Sequence, residues 1–171
     1  MEASRVERRE SYLDLSRLSP AELLGMVAAL VLLGSLFLPW FSTSASNPNS
    51  VLAGASGGES VTAFDVFKTL QWLLVAAATA PFVLSWIIAR GHRLTWRPGE
   101  VTMVVGITAF VLILCNGVIL GRPEDSSTRS AIDIGLDWGY FVALAGAAGM
   151  MIAGYLRQAV YTDARKPPGV L

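Results

Sequence analysis

Residues Val101–Leu120 read VTMVVGITAFVLILCNGVIL, with no ionisable side chain except the thiol of Cys115. A bilayer core of ~30 Å is crossed by about 20 apolar residues in helical form. This stretch has that length, and water offers nothing to stabilise it as an exposed helix. Three more runs resemble it. One covers 21–41 with Glu22 as its only charge, one lies within 67–89 and stops before Arg90, and one covers 137–156 and stops before Arg157. Four separated runs of this length predict an all-α polytopic membrane protein, a bundle of four transmembrane helices.

Composition supports that class. Of 171 residues 53% are hydrophobic and only 15% charged, with a mean hydropathy of +0.53. Soluble domains carry about a quarter charged residues. Thirteen Lys and Arg against 13 Asp and Glu leave no net charge to attract nucleic acid. One cysteine and one histidine, Cys115 and His92, exclude an intrachain disulfide, a Cys-x-x-Cys redox pair, a Cys/His zinc site and bis-histidine haem ligation.

Basic residues stay on the cytoplasmic side of short loops. Ten of the 13 fall in the arm before the first run, the link between the second and third, and the tail. The other side holds Lys68, Arg122 and Arg129 and is net acidic. Both termini are therefore predicted to be cytoplasmic, in the cell's inner membrane. The domains read as an arm over 1–19, a membrane domain over 20–157 and a tail over 158–171. A signal peptide cut after Ala45 is the competing reading of the first run. Its apolar stretch exceeds the 7–15 residues typical of such a segment, and Pro39-Trp40 suits an interfacial anchor.

Ser19-Pro20-Ala21-Glu22 carries the chemistry of a helix start: a hydroxyl cap, proline at the first helical position and a carboxylate reaching back. Capping therefore accounts for Glu22. The arm reads either as a surface amphipathic helix or as a solvated terminus. Ser42 to Ser60, built of Ser, Asn, Gly, Ala and Pro, reads as a loop with nothing to form a core. Two pentads, Thr62-Ala63-Phe64-Asp65-Val66 and Ser130-Ala131-Ile132-Asp133-Ile134, match in type and precede the second and fourth runs. They mark either a duplicated hairpin or two convergent helix caps. Capping predicts that the helices behind them start outside the membrane.

The middle of every run lacks Asp, Glu, Lys, Arg and His, which argues against a proton relay, an ion-coupled transporter or a voltage sensor. Asn116 is expected to hydrogen-bond across a helix interface, with Cys115 as a small hydrophobe. Gly135, Gly139, Ala143 and Ala147 recur every fourth residue and predict a close-packing helix face, with Ala145, Gly149 and Ala153 as a second row. Pro81 predicts a kink. Arg90, His92, Arg93, Trp96 and Arg97 form a headgroup-facing turn that suits anionic lipid or an acidic partner.

Leu38-Pro39-Trp40-Phe41, the Ser/Gly-rich loop, Thr62-Ala63-Phe64-Asp65, Asp137-Trp138-Gly139-Tyr140-Phe141 and a basic tail resemble small four-span membrane proteins of actinobacteria. That resemblance implies topology and no activity. Claudin-like proteins fit worse, since the first outer loop lacks their Trp and cysteine pair, and quinone-linked disulfide enzymes need paired cysteines. The expected function is non-enzymatic and without a cofactor. An interaction or scaffold subunit comes first, self-associating or holding another membrane protein, in contact with anionic lipid headgroups. The alternative is a homo-oligomeric pore between subunits. A lipid-acting enzyme comes last, for want of a nucleophile, base or metal cluster.

Overall fold

The structure, a computed structural model, describes residues 15–47, 49–91, 99–120 and 134–164. A 3-10 turn at Leu15–Arg17 leads into α1 (Pro20–Ser35). Strands β1 (Pro39–Thr43) and β2 (Ser60–Thr62) follow, then the one-turn α2 (Ala63–Val66). The rest is α3 (Leu70–Ala89), α4 (Glu100–Leu114, continued by a π-turn over Cys115–Ile119), β3 (Ile134–Leu136) and α5 (Trp138–Ala164). The chain is mainly helical. Three of its helices, α3, α4 with its π-turn, and α5, are long and apolar enough to cross a membrane.

The helices pack α1 on α5, α5 on α4, α4 on α3 and α3 on α1. Glycine makes the α5 contacts possible. A Cβ on Gly146 would come 2.7 Å from the Leu32 nitrogen of α1, and one on Gly154 would come 2.4 Å from the Met103 nitrogen of α4. The approach is reciprocal, because a Cβ on Gly106 of α4 would meet the Met151 nitrogen at 2.5 Å. Backbones this close gain the dispersion contact that lipid chains cannot better.

The first apolar run does not stay helical to residue 41. Helix α1 has 16 residues, about 24 Å at 1.5 Å per residue. It unwinds through Leu36, Phe37 and Leu38, whose amides bond back to Leu33, Gly34 and Ser35. Pro39 cannot donate to a helix, and β1 starts there. An all-α chain is thus corrected to a helical one with a small sheet, in the order β2-β1-β3 and antiparallel throughout. Phe41 stands opposite both Val61 and Leu136. The ladder slips between Pro39 and Phe41. That irregularity lets the consecutive Trp40 and Phe41 both face inward, where a regular strand would send them to opposite sides.

The loop after β1 is ordered as well. Leu52 and Ser50 are buried, and the Ser50 hydroxyl accepts from the Ser44 amide at 2.8 Å. Thr43 donates through its amide and its hydroxyl to the Glu59 carbonyl, at 2.9 and 3.0 Å. Leu52 and Ala55 of this loop join the apolar core, and small hydroxyl side chains bonded to main chain fix the polar remainder.

The helix of the second run covers Leu70–Ala89. Thr62 and Asp65 form a capping box, but it serves α2, and Phe67 returns the chain to an extended conformation. The helix behind this cap therefore does not continue into α3. Of the matching pentad, residues 130–133 lie outside the described residues, and Ile134 opens a strand. The fourth run is longer than expected. Helix α5 passes Arg157, which is paired with Glu22, and reaches Ala164. Helix α3 runs on through Pro81.

Candidate functional site

At the end of the bundle opposite the sheet, α1, α3, α4 and α5 enclose a cavity of about 290 Å³. Its walls are apolar, including Pro81, Leu84 and Ile88 of α3 and Gly25 of α1, with Glu22, Ser85, Thr102 and Arg157 as the polar side chains. Each wall has a local reason. Proline gives α3 a turn without an amide hydrogen bond. Gly25 contributes only a hydrogen, and a Cβ there would lie 3.5 Å from Ala153 and from Thr102.

Glu22 does two jobs. As the capping residue its carboxylate accepts from the Ser19 amide, while the Ser19 hydroxyl accepts from the Glu22 amide at 3.4 Å. Its other oxygen lies 3.0 Å from Nε of Arg157 on α5. Both side chains are largely removed from solvent, 9% and 23% exposed. The start of α1 is thereby tied to α5 by an ion pair, which capping alone did not anticipate. The sequence signal was available: a lone acid and a lone base, each at the same end of an apolar run.

Further basic groups gather at this end. The Arg90 guanidinium stacks 3.9 Å over the Trp86 ring, and Arg17 lies against Gly91. Of the expected headgroup turn only Arg90 can be placed. His92, Arg93, Trp96 and Arg97 lie outside the described residues.

The expected packing face is partly rearranged. Gly135 is not on a helix at all. It sits in β3 opposite Ser42, whose hydroxyl oxygen would be 2.8 Å from an added Cβ. Gly139 lies on α5 against the Pro39 carbonyl, and Ala143 and Ala147 are fully buried. The contact with α1 runs Gly139, Gly146, Gly149, Ala153, against Leu38, Leu32, Ala28 and Gly25. At 3.6 residues per turn, seven residues return to within about 20° of the starting direction, whereas eight overshoot by about 80°. Seven-residue steps, Gly139 to Gly146 and Gly146 to Ala153, therefore stay on the contact, whereas Ala145 at the head of the second row is exposed.

Asn116 is also corrected. Its amide donates to the Leu112 carbonyl of its own helix at 2.9 Å and not across an interface. The group reaching across is Tyr140 of α5, whose hydroxyl donates to the Ile113 carbonyl at 3.0 Å. Ser35, Thr79 and Thr108 likewise donate to carbonyls of their own helices. Cys115 is half-buried. Among the described residues no three His, Cys, Asp or Glu side chains come together as a metal site would need.

A second hollow, about 320 Å³ between α3 and α4, is lined by Leu, Ala and Val with Thr108 as its one hydroxyl. It offers shape without chemistry.

No protein-family model, curated protein or solved structure matches this chain. The reading of its function therefore rests on its own geometry.

Proposed function

We propose that the chain is a four-span protein of the cell's inner membrane, with both ends cytoplasmic, and that it acts without turnover as an interaction subunit. Helix α1 is the short member. Together with the unwound turn after it, it runs beside α5 from Gly25 against Ala153 to Leu38 against Gly139. Helix α5 is long enough to cross, so its partner covers nearly the same depth. Leu23, Val27, Leu30 and Phe37 of the α1 segment are exposed, as lipid contact requires. The ten-to-three bias of basic residues supports the orientation.

The observation that carries the role is where the small residues are used. The glycine and alanine faces of α5 pack against α1 and α4 of the same chain. A pore between copies would need another polar face, and the exposed hydroxyls of Thr79 and Thr108 are committed to their own helices. What faces outward is apolar side chain in the membrane and a rigid sheet module beyond it. Such a surface suits holding another membrane protein.

The mass of the particle released from native membranes in mild detergent tests this reading. A defined complex with an unlike chain is expected. A bare 18.3 kDa monomer would remove the interaction role, and a ring of identical copies that passes small ions in vesicles would replace it with the pore.

A further inference from the structure

We propose that the cavity between α1, α3, α4 and α5 is a binding site for an anionic phospholipid, with its phosphate on Arg157 and the upper part of one acyl chain against Gly25, Pro81 and Leu84. At about 290 Å³ the space lies at the small end of ligand sites, which run from about 300 to 1,000 Å³. It holds a headgroup and the start of a chain, with the remainder left in the bilayer.

The chemistry is asymmetric in the way such a ligand needs. Nε of Arg157 lies 3.0 Å from Glu22 as a charge contact, with no hydrogen bond between the two atoms. Among the described residues that carboxylate is the guanidinium's only partner, so the two terminal nitrogens remain to donate. A planar guanidinium with its donors uncommitted presents the fork geometry that suits phosphate oxygens. Thr102 and Ser85 add hydroxyls to the lining, and the rest is hydrocarbon. Arg17 and Arg90 stand at the same end of the bundle and favour a negative ligand. Depth agrees too. Arg157 is the first charged side chain of α5, where a spanning helix meets the headgroups.

The proposal rests on the membrane placement above and not on the interaction role, so either can fail alone. Thermal unfolding of the full chain in neutral detergent tests it, with phosphatidylglycerol, phosphatidylcholine and glycerol phosphate titrated separately. Phosphatidylglycerol about a hundredfold above its Kd should raise Tm by roughly 5–10 °C. Gly25→Leu fills the void from a position where its Cβ makes ordinary contacts, and should keep the unliganded Tm while losing the lipid shift. Should that variant fail to fold, Ser85→Leu plugs the same space from α3. Arg157→Gln should raise the lipid Kd at least tenfold, whatever its own Tm. No shift with phosphatidylglycerol, or an undiminished shift in the plugged variant, would overturn the site. An equal response to phosphatidylcholine would overturn its preference for an anion, and an equal response to glycerol phosphate would overturn the lipid.

Discussion

The hydroxyl of Tyr140 donates to the carbonyl of Ile113 at 3.0 Å, crossing from α5 to α4 over Gly117. The glycine is required there, since a Cβ would stand 2.3 Å from the tyrosine ring. The same ring meets Trp40 edge-on with centroids 5.7 Å apart. A membrane helix pair is thus joined to the sheet module through one side chain.

Tyr140→Phe keeps the ring and removes the donor, leaving a buried carbonyl short of one partner. The expected loss is about 1 kcal/mol, or roughly 2–4 °C in Tm for a chain of this size. Gly117→Ala should cost more, about 1–3 kcal/mol, because the ring must move. Thermal melting in detergent reads both. If Gly117→Ala melts like the parent, the close approach of the ring is wrong.

Trp40 tests why α1 ends where it does. Its indole nitrogen donates to the Ser35 carbonyl at 2.8 Å, a second donor beside the Leu38 amide at the unwinding end of the helix. Phe67 and Tyr140 pack edge-on against it. Trp40→Phe loses the hydrogen bond and leaves a partial void, together about 2 kcal/mol. Protease sensitivity of the loop over residues 42–60 should rise along with the fall in Tm. A variant with lower Tm and unchanged cleavage would detach the module's order from Trp40.

Asp65 supplies a pH test at the sheet end. Its carboxylate accepts from the Thr62 hydroxyl at 2.7 Å and the Thr62 amide at 2.9 Å, and these bonds hold its pKa below the ordinary 3.8. A lowered folded pKa stabilises above the unfolded value and is lost as pH falls through the folded one. The α2 cap should therefore be constant from neutral pH to the ordinary carboxylate range and weaken only beneath 3.8. Trp72 reports it, because Phe64 of α2 packs edge-on to its ring at 5.9 Å. Acid titration of Trp72 fluorescence should lose its low-pH step in Asp65→Asn. A step that survives belongs to another group.

Much of the helical part was legible and the sheet was not, for definable reasons. Hydropathy found α4 almost to the residue, since a span with no charge has one reading. The Ser19–Glu22 cap was equally plain, because capping is local chemistry. Leu38-Pro39-Trp40-Phe41 continued an apolar run, and a buried strand cannot be told from buried helix by apolarity alone. The slip in the ladder also hides the alternation that would mark a strand. The order of the loop after β1 is hidden because a lone Leu52 in a polar stretch does not mark a core, and hydropathy gives no weight to hydroxyl-to-backbone bonds such as Ser50 to Ser44. Arg157 looked like the end of a span because its partner, Glu22, lies 135 positions earlier in the chain.

Orientation is checked by accessibility. In a Cys115→Ala background, single cysteines at Ser4, Ser56, Ser127 and Thr162 should divide two and two under an impermeant thiol reagent. Ser56 and Ser127 should label from outside, and Ser4 and Thr162 only after lysis. Outside labelling at Ser4 would invert the topology. Loss of an amino-terminal tag, with a new terminus near Ser46, would make the first run a signal peptide.

Ala143 separates packing within the chain from packing between chains. It is fully buried on α5, one turn from Gly139 and less than a turn from Gly146, whose missing side chains admit the Pro39 and Leu32 backbones of the α1 segment. Ala143→Leu adds about three carbons where main chains touch. Overpacking costs about 1–3 kcal/mol, and lipid solvates leucine as well as a protein interior does, so nothing offsets the loss. The expected result is a fall of roughly 2–10 °C in Tm with the particle mass unchanged, because the neighbours belong to the same chain. A variant that keeps its Tm but loses a defined oligomer would move the contact between subunits and favour a pore. If neither changes, the α1–α5 seam does not pass through Ala143.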